Sequence, residues 1–152
     1  MSVSGDLDDL ADFYAQCAQQ ALKVKLKLGP KPRDEAGALL WEQQVTRLQG
    51  QINSFSALVS KLTAAAVLAS LQDYAVEIQQ VAKVAKAAKA KIAGIERVSA
   101  LLTTLAAVLD LGLAVLAAAA TPSLETIGAV VSAGTALKDL VDKTDDTAPA
   151  SG

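Results

Sequence analysis

Enzyme chemistry needs nucleophiles, acids, bases or metal ligands at a workable spacing, and this chain offers few of them. It has no histidine, which removes the commonest general base near neutral pH and the commonest nitrogen ligand for metals. Its single cysteine, Cys17, cannot build a thiolate metal site alone and has no partner for an intrachain disulfide. Cys17 also falls on an apolar heptad position, where a small buried hydrophobe is the expected role. Carboxylates recur at i, i+4 as Asp8–Asp12 and Asp73–Glu77. Such a pair shares one helix face and holds a metal only with ligands from another helix. Di-metal bundles draw those from Glu-x-x-His, which is absent here. The run GAVVSAG, Gly128 to Gly134, carries glycines but follows no predicted strand, so it is not a phosphate loop. The expectation is a non-enzyme with no cofactor and no metal.

Charge gives a second set of candidates. With 14 basic and 16 acidic residues the net charge is −2, so no global attraction to nucleic acid exists. The charges are blocked, however. Asp6, Asp8, Asp9 and Asp12 open the chain, and Asp139, Asp142, Asp145 and Asp146 close it. Lys23, Lys25, Lys27, Lys31 and Arg33 form one basic patch, and Lys83, Lys86, Lys89, Lys91 and Arg97 a second. The stretch AKVAKAAKAKIAG, Ala82 to Gly94, reads foremost as a solvated lysine face opposite Val81, Ala85, Ala88 and Ile92. The functional alternative makes Lys83, Lys86, Lys89 and Lys91 contacts to an anionic lipid surface. Phosphates of nucleic acid rank last, because no aromatic or Arg-rich base-reading element accompanies the lysines. Trp41 is read as a core or end anchor in preference to a membrane-interface residue.

The elements that must position these residues are helical. Hydrophobic residues make up 52% of the chain and aromatics only 3%. That is the composition of a core of Ala, Leu and Val, and Ala and Leu lead the helix propensity scale. Helix 1 is expected from Ser4 or Asp6, with Leu7, Leu10, Tyr14, Cys17, Ala21, Val24 and Leu28 on a heptad seam. Its aspartates lie in the first turn and its lysines in the last, as the helix dipole favours. Gly29 and Pro30 stop it. The alternation in KVKLKL, Lys23 to Leu28, also suits a short strand, but no partner strand is visible. Helix 2 is expected from Asp34 along Trp41, Val45, Leu48, Ile52, Phe55, Val59, Leu62, Ala66 and Ala69. A third seam runs Leu71, Tyr74, Ile78, Val81, Ala85, Ala88, Ile92, Ile95, Ser99 and Leu102, and extends through Ala106, Leu109, Leu113 and Leu116. The step from 69 to 71 breaks phase, and SLQD, Ser70 to Asp73, matches a capping box, so a break is expected near Ser70. One long helix with a register shift is the alternative, and Gly94 is a second candidate bend. Unbroken, helix 3 would be about 75 Å long. Thr121 and Pro122 fit the cap and first position of helix 4, which runs to Lys143. Residues 144–152 are expected to be a disordered tail. The expected architecture is all-α: an antiparallel bundle of three to four unequal amphipathic helices in one domain, 1–143, with a hydrophobic hairpin near its C-terminus.

That hairpin, about residues 98–140, is the principal candidate site. From Val98 to Leu124, Asp110 is the only charge. The 23 residues from Val98 to Ala120 are enough to span a hydrocarbon core of roughly 30 Å. Seven Leu and three Val contribute roughly −3 to −6 kcal/mol to insertion, and Asp110 near the centre costs roughly 2.5 to 3.5 kcal/mol. With Ser99, Thr103, Thr104 and Gly112 subtracting further, the balance is near zero. In a soluble fold such a helix is expected to be covered on all sides, with Asp110 paired to hydroxyls of helix 4 near Ser132 and Thr135. Leu101, Leu102, Leu105, Leu109, Asp110, Gly112, Leu113, Leu116, Pro122, Ile127, Gly128, Val131 and Ser132 are the candidate membrane or assembly residues. Gly112 and the Gly128–Ser132 pair would allow close helix approach.

A marginally apolar segment, a Thr-Pro turn and a second small-residue helix resemble the hairpin of α-helical pore-forming toxins. The resemblance covers Val98 to Leu137 and is one of plan. It implies a soluble form that exposes the hairpin, inserts it and self-assembles. The second functional class is a soluble module that binds a helical partner or a second copy through its heptad seams. The N-terminus MSVSGDLDDL lacks the basic and apolar regions of a secretory signal. Cytoplasmic synthesis without such a signal is therefore expected, with export by a signal-independent route left open.

Overall fold

The chain is all-helical. The computed structural model describes residues 2–147, with side chains through residue 143. In order come α1 (Val3–Lys27), α2 (Glu35–Leu62), α3 (Ala65–Leu71), a 3-10 turn (Gln72–Tyr74), α4 (Ala75–Ala93), α5 (Val98–Ala120) and α6 (Leu124–Thr147). Among the described residues, six α-helices therefore replace the three or four expected. The continuation of α6 to Thr147 places residues 144–147 in a helix where a tail was expected. Residues 148–152 lie outside those described.

Helix 1 begins slightly earlier than its sequence suggests because Ser2 caps it, its hydroxyl accepting from the Gly5 amide at 3.1 Å. Leu7, Leu10, Tyr14, Cys17, Ala21 and Val24 are all buried, and KVKLKL is helical to Lys27. Gly29 then takes φ +67°, the left-handed conformation that glycine adopts without strain, and reverses the chain. Asp34 caps α2 through the Gly37 amide at 2.7 Å.

One break falls where the core demands it and no residue marks it, and the other falls at Gly94, the second candidate bend. Leu62 and Leu71 are both fully buried, yet they stand nine residues apart. On a straight helix at about 100° per residue they would point to opposite sides, about 180° apart. The chain resolves this by leaving the helix at Thr63–Ala64, where Ala64 is extended, and bending by 69°. The expected break at Ser70 is a milder tightening into the 3-10 turn Gln72–Tyr74, with no side-chain cap. Ala66 and Ala69, counted in the helix 2 seam, are consequently exposed. Ile92 and Leu101, both buried, pose the same conflict, again nine residues apart. Gly94 to Arg97 interrupt the helix between them. The expected rod of about 75 Å is thus two α-helices, α4 and α5, with the 3-10 turn leading into the first.

Side-chain contacts between helices fix the helix directions. Tyr14 stacks on Phe55 and Lys25 donates to Gln49, so α1 and α2 run antiparallel. Lys86 pairs with Asp9 and Lys89 with Asp12, so α4 runs parallel to α1. Lys91 meets Asp142 and Gly134 faces Val81, so α6 runs parallel to α4. Gln51 donates to the Leu102 carbonyl and Gly112 faces Leu58, so α5 runs parallel to α2. The five long helices close a ring in the order α1, α2, α5, α6, α4. The uniformly antiparallel arrangement expected is replaced by α1, α4 and α6 running one way and α2 and α5 the other. Short α3 is the crossover that permits this. It passes against α5 and α1 and carries the chain from the end of α2 to the start of α4. The aliphatic side chains of all these helices meet in one core cluster.

Candidate functional site: the outer face of the α5–α6 hairpin

The phase reset at Gly94–Arg97 decides which side of α5 faces inward. Leu101, Thr104, Leu105, Val108, Leu111, Gly112, Val115, Ala118 and Ala119 are buried. The outward residues are Ser99, Thr103, Ala106, Asp110, Leu113, Ala117 and Ala120, a spacing of 4 and 3 throughout. The third seam, carried past Gly94 without a phase change, had placed Ser99, Ala106 and Leu113 inside. They are outside. Leu102, Leu109 and Leu116 are half-buried along one edge of this outer stripe, and Ala107 and Ala114 along the other.

Asp110 stands in the middle of the stripe, exposed to solvent. The expectation that helix 4 hydroxyls cover it is therefore wrong. Ser132 and Thr135 are exposed too, and the Thr135 hydroxyl donates to the Val131 carbonyl of its own helix. The helix is not covered on all sides, so the carboxylate stays exposed to water in the folded chain and needs no partner there. Hydration replaces the expected pairing.

Gly112 serves a different purpose from the one expected. A Cβ built there would lie 2.7 Å from Leu58 Cδ1 and 3.2 Å from Tyr14 Cζ. The glycine lets α5 approach α2 and α1 inside the molecule. Gly128 has open space around it and Ser132 is exposed, so that small pair makes no helix contact within the chain. The inward residues of α6 are Ile127, Val130, Gly134, Leu137 and Val141, with Val131 half-buried beside them.

The hairpin turn is built two residues later than Thr121–Pro122 suggested. Ser123 Oγ accepts from the Thr126 amide at 3.1 Å, and the Ser123 amide donates to Thr126 Oγ1 at 3.0 Å. This reciprocal box caps α6, while Pro122 lies exposed in the turn. The Thr126 hydroxyl also lies 2.9 Å from the Thr121 carbonyl and can donate to it, which binds the turn to the first helical residues.

The lysine face is largely matched to the acidic blocks. Lys86 reaches Asp9 at 3.1 Å, Lys89 reaches Asp12 at 3.3 Å and Lys91 reaches Asp142 at 2.9 Å. The Lys91 ammonium holds the Asp142 carboxyl below the usual carboxylate range, chiefly by its hydrogen bond. Lys83 has no carboxylate partner among the described residues. The acidic first turns of α1 and the acidic half of α6 are thus the counter-charges of α4, and surface pairs of this kind add little stability. Trp41 is half-buried and donates its indole N–H to the Gly29 carbonyl at 3.0 Å, anchoring the α1–α2 turn.

Two core features were not legible in the residue pattern. Gln20 is buried on α1 and donates to the Ile95 carbonyl at 2.7 Å, fixing the α4–α5 turn. Tyr14 is fully buried with its hydroxyl unpaired, and burial pushes its ionisation far above the ordinary tyrosine range. Burial likewise pushes the Cys17 thiol up to about 12, so it stays protonated at neutral pH. No group of three or more metal-ligating side chains comes together among the described residues. No protein-family model, curated protein or solved structure matches this chain.

Proposed function

We propose that this protein is a non-enzymatic, membrane-interacting helical protein that acts through the outer face of α5 with α6 as its hairpin partner. One observation carries the reading. α5 is 23 residues long with a mean hydropathy of 2.2, yet only 39% of its most apolar stretch is buried. A core helix of equal apolarity hides most of its surface. Here Leu113 is 59% exposed, and Ala106, Ala117 and Ala120 occupy half of the other outer positions. Of the charged residues, Asp110 alone interrupts this surface, and its cost of roughly 2.5–3.5 kcal/mol offsets most of the leucine and valine contribution. The soluble and inserted states then lie close in free energy. In the inserted state the hairpin self-assembles, with Gly128 and Ser132, unused inside the folded chain, available for close helix contact. The pore-forming, toxin-like plan is the form of membrane action that such a hairpin suits. Lys83 and its neighbours would assist at an anionic surface once their aspartates are displaced.

The exposed heptad spacing of residues 99, 103, 106, 110, 113, 117 and 120 favours one second reading, a helical partner or second copy lying along α5. Dye release separates the two. Purified protein should release dye from anionic vesicles between pH 5 and 8. Absence of release across that range, together with a stable oligomer by light scattering that Leu113→Asp dissolves, would replace the membrane reading with the helical-partner one.

A further inference from the structure

A cleft of about 180 Å³ opens between α1 and α4, on the side of the ring opposite α5. Phe13, Cys17 and Ile92 form its floor, Gln16, Gln19 and Gln20 its uncharged polar lining, and Lys23 and Lys89 its charged side. The apolar three are buried, so the wall is set by core packing. The nearby turn is set as well, because the Gln20 amide is tied to the Ile95 carbonyl at 2.7 Å. An enclosed apolar cavity of about 150 Å³ accommodates benzene, and this open cleft has room for a single ring of that size.

The local charge is unbalanced. Lys89 pairs with Asp12 and Lys27 with Glu96. Lys23 lies near enough to Glu96 to act on it, yet it holds no carboxylate of its own among the described residues. Three lysines thus face two carboxylates, and one positive charge is left at a cleft with an apolar floor and glutamines along its sides. Preformed concave sites with an apolar body and a few placed polar groups are the usual form of small-molecule sites.

We propose that this cleft binds a small organic monocarboxylate, its apolar body against Phe13, Cys17 and Ile92 and its carboxylate toward Lys23 and Lys89. The site is separate from the α5 face and does not depend on the membrane reading. The test is a titration of the full chain with benzoate and, as the uncharged comparison, benzyl alcohol, followed by amide NMR shifts. Benzoate should give saturable shifts at Cys17, Gln20 and Ile92, with affinity about tenfold above that of benzyl alcohol, the worth of one charge-assisted hydrogen bond. Lys23→Met should abolish that preference, and Lys23→Arg should retain it. Lys83→Met removes the same charge elsewhere on the surface and should leave it unchanged. Equal affinity for the two probes would overturn the proposal. So would an absence of saturable shifts up to about 50 mM, above the millimolar affinity that so small a ligand reaches.

Discussion

Replacing Tyr14 by Phe should make this protein more stable. Tyr14 has no exposed surface and its hydroxyl has no hydrogen-bond partner. The ring itself is well placed, 5.9 Å from the Phe55 ring and 5.5 Å from the Phe13 ring, and it packs under Gly112. Tyr14→Phe keeps every ring contact and removes only the oxygen. A buried polar group without a partner costs about 1–3 kcal/mol. Some of this is returned as lost dispersion contacts of the oxygen, leaving a gain of about 1–2 kcal/mol. For a domain of this size that corresponds to a rise in Tm of about 2–8 °C. Urea unfolding followed by circular dichroism measures it directly, with an unchanged m-value showing that the native and unfolded states are otherwise the same. The sign of the pH dependence gives a second check. Folding raises the pKa of this hydroxyl, so its contribution is constant below about pH 10, and stability is lost as pH rises beyond that. The phenylalanine variant should lose less there. A loss of 1 kcal/mol or more for Tyr14→Phe at neutral pH would refute the reasoning, because it would mean that the hydroxyl is hydrogen-bonded.

Two glycines should respond in opposite directions. Gly112→Ala forces a methyl against Leu58 and the Tyr14 ring, and overpacking of about 1–3 kcal/mol outweighs the helix propensity gain of about 1 kcal/mol. Gly128→Ala, in open space, should stabilise by up to about 1 kcal/mol, both being read from denaturant midpoints. Cys17, buried with its thiol pushed up to about 12, should be inert to Ellman's reagent at pH 8 in the folded protein and react fully in urea. Glu96 and Asp142 have lowered carboxyl pKa values, through Lys27 and Lys91. Their contribution is present above the ordinary carboxylate range near pH 4 and fades as pH falls below it. Asp142→Asn should therefore flatten the acid limb of a stability–pH curve.

The helical class and the apolar phase of α1, α2 and α4 are legible because each rests on a local repeat. Leu7 to Val24, Leu48 to Leu62 and Ile78 to Ile92 all sit on seams that can be counted off the sequence. The phase of α5 is not legible in that way. Its sequence is apolar at nearly every position, so periodicity cannot distinguish Leu101 and Leu105, which are buried, from Leu113, which is not. The reset comes from a non-local demand, that Ile92 and Leu101 both reach one core. The break at Thr63–Ala64 has the same origin and no Gly or Pro to announce it. Asp110 illustrates the consequence: placed on a covered helix it demands a partner, whereas on the outer stripe it is simply hydrated. The lysine–aspartate pairs of α4 were equally hidden, since they join residues roughly 50 to 80 positions apart. Gly112 was legible as a close-approach residue, but only the fold shows that the approach is to Leu58 and Tyr14.

The central claim is that the outer face of α5 is what enters the bilayer, and one label tests it. In a Cys17→Ala background, Leu113→Cys carries an environment-sensitive NBD fluorophore on a side chain that already faces solvent, so the fold is undisturbed. A second label at Lys138→Cys, exposed on α6 near a cluster of charges, is the comparison. On addition of anionic vesicles, the probe at position 113 should shift to the blue, gain intensity and be quenched by lipids brominated in their acyl chains. Asp110→Leu should strengthen the shift, because it removes an insertion cost of roughly 2.5–3.5 kcal/mol. A probe at position 113 that remains in water while the protein is bound to vesicles, or one indifferent to Asp110→Leu, would contradict the account.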